Sequence, residues 1–259
     1  MHVSYPVSLW QRLHSAFAPL VLIAALFAAL KLFSIFPVAP ATVSSANILN
    51  ALFASFLRLL VAYGWSLVLA IPLAMLVVHS PLAERIFLPL FDIVQSVPVL
   101  AFFPVIILFF LRFNFINGAA VFIIFISMLW NIVFSLIGGL KVIPQDIKSA
   151  AHVFNVRGFS YARRVLIPGV VPYLVTGSLL AWAQGWNIII VAEVLHTYIP
   201  HGTSAQDLFG IGSVLVNAAA GGENGTFIAA ILIMVGAIAI LNFFVWQKLL
   251  HYAERFKFE

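Results

Sequence analysis

The sequence predicts an all-helical (all-α) integral membrane protein with six transmembrane helices and cytoplasmic N- and C-termini. Three observations predict it. The 259 residues are 64% apolar and only 8% formally charged, whereas a soluble domain carries about 25% charged residues. The apolar residues run in continuous blocks of the length a helix needs to cross the hydrocarbon layer, about 20 residues. Ten of the thirteen lysines and arginines fall on alternate connections between those blocks.

The blocks cover roughly 16–36, 50–78, 87–111, 116–140, 173–197 and 226–249. Their hydrophobicity is continuous rather than alternating, which excludes membrane strands. The second block is long enough to tilt, or to begin as an amphipathic turn near Asn47. The first block has features of a signal peptide, with Arg12 before it and Ala39-Pro40-Ala41 after it. Its apolar stretch reaches Phe36, longer than a typical signal core, so a retained helix is expected. The whole chain, 1–259, reads as one transmembrane domain.

Orientation follows from the basic residues. Arg12 precedes the first block and Arg85 lies between the second and third. Lys141, Lys148, Arg157, Arg163 and Arg164 lie between the fourth and fifth, and Lys248, Arg255 and Lys257 close the chain. If the helices alternate, all ten share one side, and the other side keeps only Arg112. The outer loop 198–225 has no lysine or arginine. Basic residues collect on the cytoplasmic side, which puts both termini there. The net charge of +5 is thereby explained without nucleic acid. Absence of cysteine excludes disulfides, thiolate metal sites and cysteine catalysis.

The 141–172 connection is too patterned for a plain link. Pro144 suits the first turn of a helix, and Asp146 lies near the positive end of its dipole. A short helix is expected over 145–154, bearing Ile147, Ala150, Ala151 and Phe154. Asn155 tolerates left-handed backbone well among non-glycine residues, and Gly158 adds a second flexible point. A second short helix is expected over 159–167, carrying Arg163 and Arg164 and stopped by Pro168. Two readings compete for this helix-turn-helix: a docking element for another protein, or a basic hairpin lying on anionic lipid.

Ser149-Ala150-Ala151-His152-Val153-Phe154-Asn155, followed by Arg163-Arg164-Val165-Leu166-Ile167-Pro168, resembles the EAA loop of ABC importer permeases. The two alanines, the spacing and the closing proline match. Ser149 stands where the motif has glutamate, and Asn155 where it has glycine. Asn50 to Pro72, with Ser55-Phe56-Leu57-Arg58, resembles the first core helix of the nitrate/sulfonate/taurine-type permeases. Gln95-Ser96-Val97-Pro98 resembles their next helix, Trp186-Asn187 through Val191-Ala192-Glu193 their fifth span, and Gly210-Ile211-Gly212 the outer loop after it. The resemblance covers about 50–250.

It implies a type I importer permease fold in the bacterial inner membrane. Ser149, Ala150, Ala151, His152, Asn155, Gly158 and Pro168 would then form the coupling element that docks on a separate cytoplasmic ATPase. ATP and Mg²⁺ would be bound by that ATPase dimer, with no cofactor in this chain. A second permease chain, identical or different, and a substrate-binding protein would complete the importer. The solute class implied is a small anion such as nitrate, bicarbonate or a sulfonate. No Gly-x-x-x-x-Gly-Lys-Ser/Thr loop is present, so the chain is not expected to be an enzyme.

Several polar residues inside the blocks are candidates for the solute pathway, each with a structural alternative. Arg58 either attracts an anion or pairs with a helix end or an acid, and Glu193 is its candidate partner; an unpaired charge there is costly. Gln95 and Ser96 precede Pro98, which breaks the backbone ladder as in many transporter sites; plain helix–helix hydrogen bonding is the alternative. Trp182, Trp186 and Asn187 are expected to share a face, with Trp186 and Asn187 able to meet solute or simply to pack. Asn131 invites the same two readings. Lys31 lies close enough to a helix end to snorkel.

In the outer loop, Ser204-Ala205-Gln206-Asp207 is expected to open a short helix with Leu208, Ile211 and Leu215 on its apolar face. His196 and His201 have only Asp207 as an obvious third ligand, so no metal site is expected. The main rival function is a secondary transporter, which needs inverted repeats and intramembrane acids. The sequence shows no convincing repeat, and Glu193 is nearly alone. His-Glu-x-x-His and Gly-x-Ser-x-Gly motifs are absent, against an intramembrane enzyme. A membrane scaffold would leave the patterned loop unexplained.

Overall fold

The computed structural model describes residues 45–199, 201–203 and 206–256. The expected first span, 16–36, lies outside the described residues, as do Arg12, Lys31 and Ser204. Helix α1 (Ser45–His79) has 35 residues, about 50 Å at 1.5 Å per residue, so it exceeds the hydrocarbon thickness. Ser80 caps α2 (Pro81–Ser96), its hydroxyl accepting from the Ala83 N–H at 3.4 Å, with Pro81 suited to the first helical position.

The third block, expected over 87–111 with its backbone ladder broken at Pro98, is broken there. Val97 is extended (φ −76°, ψ 124°), the geometry imposed on a residue before proline. Pro98 then supplies no N–H to continue the ladder. A 3₁₀ turn (Val99–Phe102) leads into α3 (Phe103–Arg112), and the two limbs meet at 77°. Asn114, at φ 53°, turns the chain into α4 (Ile116–Val142).

The hairpin follows. Helix α5 (Gln145–Val153) matches the expected short helix. Asn155 and Gly158 both adopt left-handed backbone, at φ 55° and 57°. Beyond them the structure corrects the sequence reading: no second short helix ends at Pro168. Helix α6 (Gly158–Tyr161) runs through a π turn (Ala162–Leu166) into α7 (Ile167–Glu193). The Ile167 N–H reaches back five residues to the Ala162 carbonyl. That wider turn directly precedes Pro168, where the ladder loses a donor, so the proline sits in a continuing helix.

A 3₁₀ turn (His196–Tyr198) and an irregular stretch lead to α8 (Ile211–Ala220). Helix α8 starts at Ile211; the short-helix start expected at Ser204 and Ala205 lies outside the described residues. Helix α9 (Asn224–Leu241), a π turn (Asn242–Trp246) and α10 (Gln247–Glu254) complete the described chain. Among the described residues, four helical stretches are long and apolar enough to span a membrane, or five with the bent pair.

Helix α4 is the centre of the bundle: 61% of its apolar window is buried, against 6% for Asn224–Glu254. It packs along α1 and α7. The α4–α7 contact is close because Gly177 has no side chain. A Cβ there would lie 2.6 Å from the Ser135 Cβ and 3.1 Å from the Asn131 carbonyl. Small residues permit such approach between membrane helices. Gly177→Leu should therefore cost about 1–3 kcal/mol through overpacking, read as a lower melting temperature in detergent. Gly64→Ala, where a Cβ meets nothing within 4 Å, is the control and should not lower it, since alanine favours a helix interior over glycine.

Candidate functional site

Functional candidates fall at three levels of the bundle: the hairpin end, the middle, and the far end where α4 begins and α7 stops.

At the hairpin end, α5 is closed by backbone bonds from the Phe154 N–H to the Ala150 carbonyl (3.0 Å) and from the Val156 N–H to the Ala151 carbonyl (2.9 Å). This geometry needs a left-handed residue at 155, and asparagine tolerates it. Ala151 is buried, while Ser149, Ala150, His152, Asn155 and Gly158 are exposed and Pro168 is half-buried. Val153 and Phe154 are 79% and 78% exposed, more than any other large apolar side chain described. Arg157, Arg163 and Arg164 are exposed nearby in the chain. A Lys141–Glu84 pair at 2.5 Å joins the root of the hairpin to the first turn of α2.

In the middle, a groove of about 530 Å³ opens beside the α2–α3 break. Its polar lining is Gln95, Ser127, Asn131 and Gln184, with Pro98 and Trp130 beside them. Two of the expected pathway residues, Gln95 and Asn131, thus share one cavity. Ser127 and Gln184 were not singled out from the sequence; their only signal was polarity inside an apolar block. Ser96 is not on this lining, and its hydroxyl donates to the Asp92 carbonyl at 2.7 Å. The expected shared face of Trp182, Trp186 and Asn187 is corrected. Both tryptophans are buried and Asn187 is exposed, because consecutive residues on a helix point about 100° apart. Trp186 lines a separate apolar hollow of about 300 Å³ with Phe53 and Phe56.

At the far end, Arg58 and Glu193 are 3% and 0% exposed and lie 2.7 Å apart. The Arg58 Nη1 also donates to the Phe209 carbonyl (3.0 Å), and its Nε and Nη2 donate to Asn117 Oδ1 at 3.2 and 3.1 Å. Glu193 Oε1 accepts from the Ser55 hydroxyl at 2.6 Å, and Oε2 from the Gly212 N–H at 2.8 Å. The Ser55 oxygen in turn accepts from the Ile211 N–H at 2.8 Å. Four segments therefore meet in one buried network. Sequence reading anticipated Arg58 with Glu193 but missed Asn117, Ser55 and the three backbone groups, the Phe209 carbonyl and the Ile211 and Gly212 N–H groups.

A second carboxylate closes the neck of the adjoining loop. Asp207 Oδ1 accepts from the His196 N–H at 3.0 Å, and the His196 ring Nδ1 lies 2.8 Å from Oδ2. The Leu208 N–H bonds to the Glu193 carbonyl at 2.9 Å. Among the described residues no cluster of three or more His, Cys, Asp or Glu is placed to hold a metal ion.

The profile described as binding-protein-dependent transport system inner membrane component matches residues 66–250, the stretch holding the broken helix pair, the groove and the hairpin. The nitrate import permease protein NrtB of Leptolyngbya laminosa is 32% identical over 188 residues, 73% of this chain and 62% of its own length. The bicarbonate transport system permease protein CmpB of Synechococcus elongatus is 28% identical over 192 residues, 73% of this chain and 64% of its own. The taurine transport system permease protein TauC of Escherichia coli is 24% identical over 150 residues, 58% and 54% respectively. The chain spans less than two thirds of the length of each of these relatives. With a profile match over more than half of its residues and apolar helices along that match, the chain belongs to the family of binding-protein-dependent transport system inner membrane components, multi-pass proteins of the plasma membrane.

Proposed function

We propose that the chain is the permease subunit of an ATP-driven importer, carrying a small anion of the nitrate, bicarbonate or sulfonate class. The observation that carries this reading is the hairpin, where Val153 and Phe154 stand exposed on a left-handed turn. Exposed apolar side chains rimmed by polar ones mark interaction sites. Family membership over the same residues supports the reading, as do the nitrate, bicarbonate and taurine permeases among the relatives.

In this reading the chain has six spans, the first from 16–36, with both termini and the hairpin cytoplasmic. The hairpin couples through Ser149, Ala150, Ala151, His152, Asn155, Gly158 and Pro168 to an ATPase dimer that binds ATP and Mg²⁺. Its basic residues call for an apolar slot with an acidic rim on the ATPase. One chain supplies one hairpin, so two permease chains serve the dimer, and a substrate-binding protein delivers solute to the opposite face. ATP and solute are coupled because each favours a different conformation.

The groove at the helix break is this chain's share of the solute route. Gln95, Asn131, Ser127 and Gln184 offer hydrogen bonds there, at about the middle of α4, the level at which transporters with broken helices bind solute. Ser96, Trp186 and Asn187 stand off that route. Arg58 and Glu193 act as a structural pair, since each neutralises the other.

An affinity-tagged chain purified from its native membranes tests the reading. It should bring with it an ATPase bearing a Gly-x-x-x-x-Gly-Lys-Ser/Thr loop in equal amount. In proteoliposomes with the binding protein, nitrate or bicarbonate uptake should require ATP. Arrival without such an ATPase, or uptake indifferent to ATP, overturns it.

A further inference from the structure

The four-segment network at the far end has a direction that a simple ion pair lacks. Helix α8 has 10 residues, and its first N–H groups have no partners within the helix. Two of them are satisfied by side chains from other helices. The Ile211 N–H donates to the Ser55 hydroxyl of α1, and the Gly212 N–H to the Glu193 carboxylate of α7, each at 2.8 Å. Gly210 and Gly212 make this approach possible: a Cβ at either would fall within 3.0 Å of the Glu193 carboxylate. The carboxylate thus sits at the positive end of the α8 dipole, with Arg58 on its other side.

We infer that Glu193 is a positioning residue, an anionic cap delivered in trans to α8, and that the Arg58–Glu193 pair works in one orientation only. A guanidinium in the place of Glu193 would face the Gly212 N–H, the Ser55 hydroxyl and the positive end of a helix. It would restore opposite charges and still leave α8 without its acceptor. The same bonds tie Phe209 to Arg58 and Leu208 to the Glu193 carbonyl. The segment from Leu208 through α8 is therefore a fixed shelf that moves with α1 and α7, not a lid. This inference rests on the geometry alone and does not depend on which solute or partner the chain serves.

Spin-label distances test it on the full-length chain in lipid nanodiscs. The natural sequence has no cysteine, so Leu60→Cys on α1 and Ala219→Cys on α8, both at exposed positions, supply the labels. The unaltered network should give one narrow distance distribution. Glu193→Gln keeps the shape, but an amide accepts on one side only. Whichever way it lies, it turns its N–H groups toward either Arg58 or the Gly212 N–H. Glu193→Gln and the milder Ser55→Ala should each broaden or shift the distribution. The reversed pair, Arg58→Glu with Glu193→Arg, should broaden it as much as Glu193→Ala does. Recovery of the narrow distribution by the reversed pair overturns the inference, and so does an unchanged distribution in both Ser55→Ala and Glu193→Gln. If the reversed pair does not accumulate, the two milder variants decide.

Discussion

Arg58→Ala is expected to destabilise the bundle by about 3–5 kcal/mol, the range for breaking one side of a buried ion pair. At about 2–4 °C per kcal/mol for a chain of this size, the detergent melting temperature should fall by roughly 10 °C. The size follows from what is stranded. Glu193 is fully buried and would keep only Ser55 and the Gly212 N–H as partners. Asn117 Oδ1 and the Phe209 carbonyl would lose the donors that now reach them from α1. Replacing both members together, Arg58→Leu with Glu193→Leu, should recover part of the loss, because an uncharged pair leaves no buried charge behind. Recovery should stop short of the natural protein, since the Gly212 N–H would still lack its acceptor. Thermal unfolding of the purified chain measures all three. An Arg58→Ala protein that melts within about 2 °C of the natural one would contradict the pairing.

The same residues mark where sequence reading reaches and where it stops. Hydropathy placed α4 over 116–140 against Ile116–Val142, because a membrane span has to be continuous and apolar and that requirement is local. The left-handed turn at Asn155 was legible for a similar reason: the side chain itself sets which backbone region is tolerated. Pro168 misled because a proline's effect depends on the turn before it, and a π turn leaves room for a missing donor. Pro98 announced a break, but the 77° between the limbs belongs to tertiary packing, the first limb lying against α1 and the second against α4. The network at the far end was half legible. A buried arginine and a buried glutamate in apolar blocks demand partners, so pairing them was sound. Asn117 and Ser55 carried no such demand, and nothing in their spacing points to residues 59 and 138 positions away.

The hairpin offers the sharpest functional test, because its two alanines face opposite ways. Ala150 is exposed and Ala151 is buried, so a large charged residue at each probes a different thing. Ala151→Arg forces a guanidinium into the contact between α5 and the rest of the hairpin, and should disturb the turn before any partner is involved. Ala150→Arg leaves that contact alone and alters only the outward face. If this face seats in an ATPase groove, Ala150→Arg should weaken association by about 30-fold or more, the scale of a strong interface position, about 2 kcal/mol. Its melting temperature as an isolated chain should stay within about 1 °C, as expected of a surface change. Association can be read by titrating the purified ATPase against labelled chain in nanodiscs, and coupling by solute-stimulated ATP hydrolysis in the assembled particle. Loss of both with an intact fold is the expected pattern. Full association of Ala150→Arg would instead place the contact elsewhere, whereas binding to anionic vesicles that strengthens with the added charge would favour a hairpin resting on lipid. Because Ala151→Arg is expected to fail in the isolated chain as well, the contrast between adjacent positions separates docking from folding.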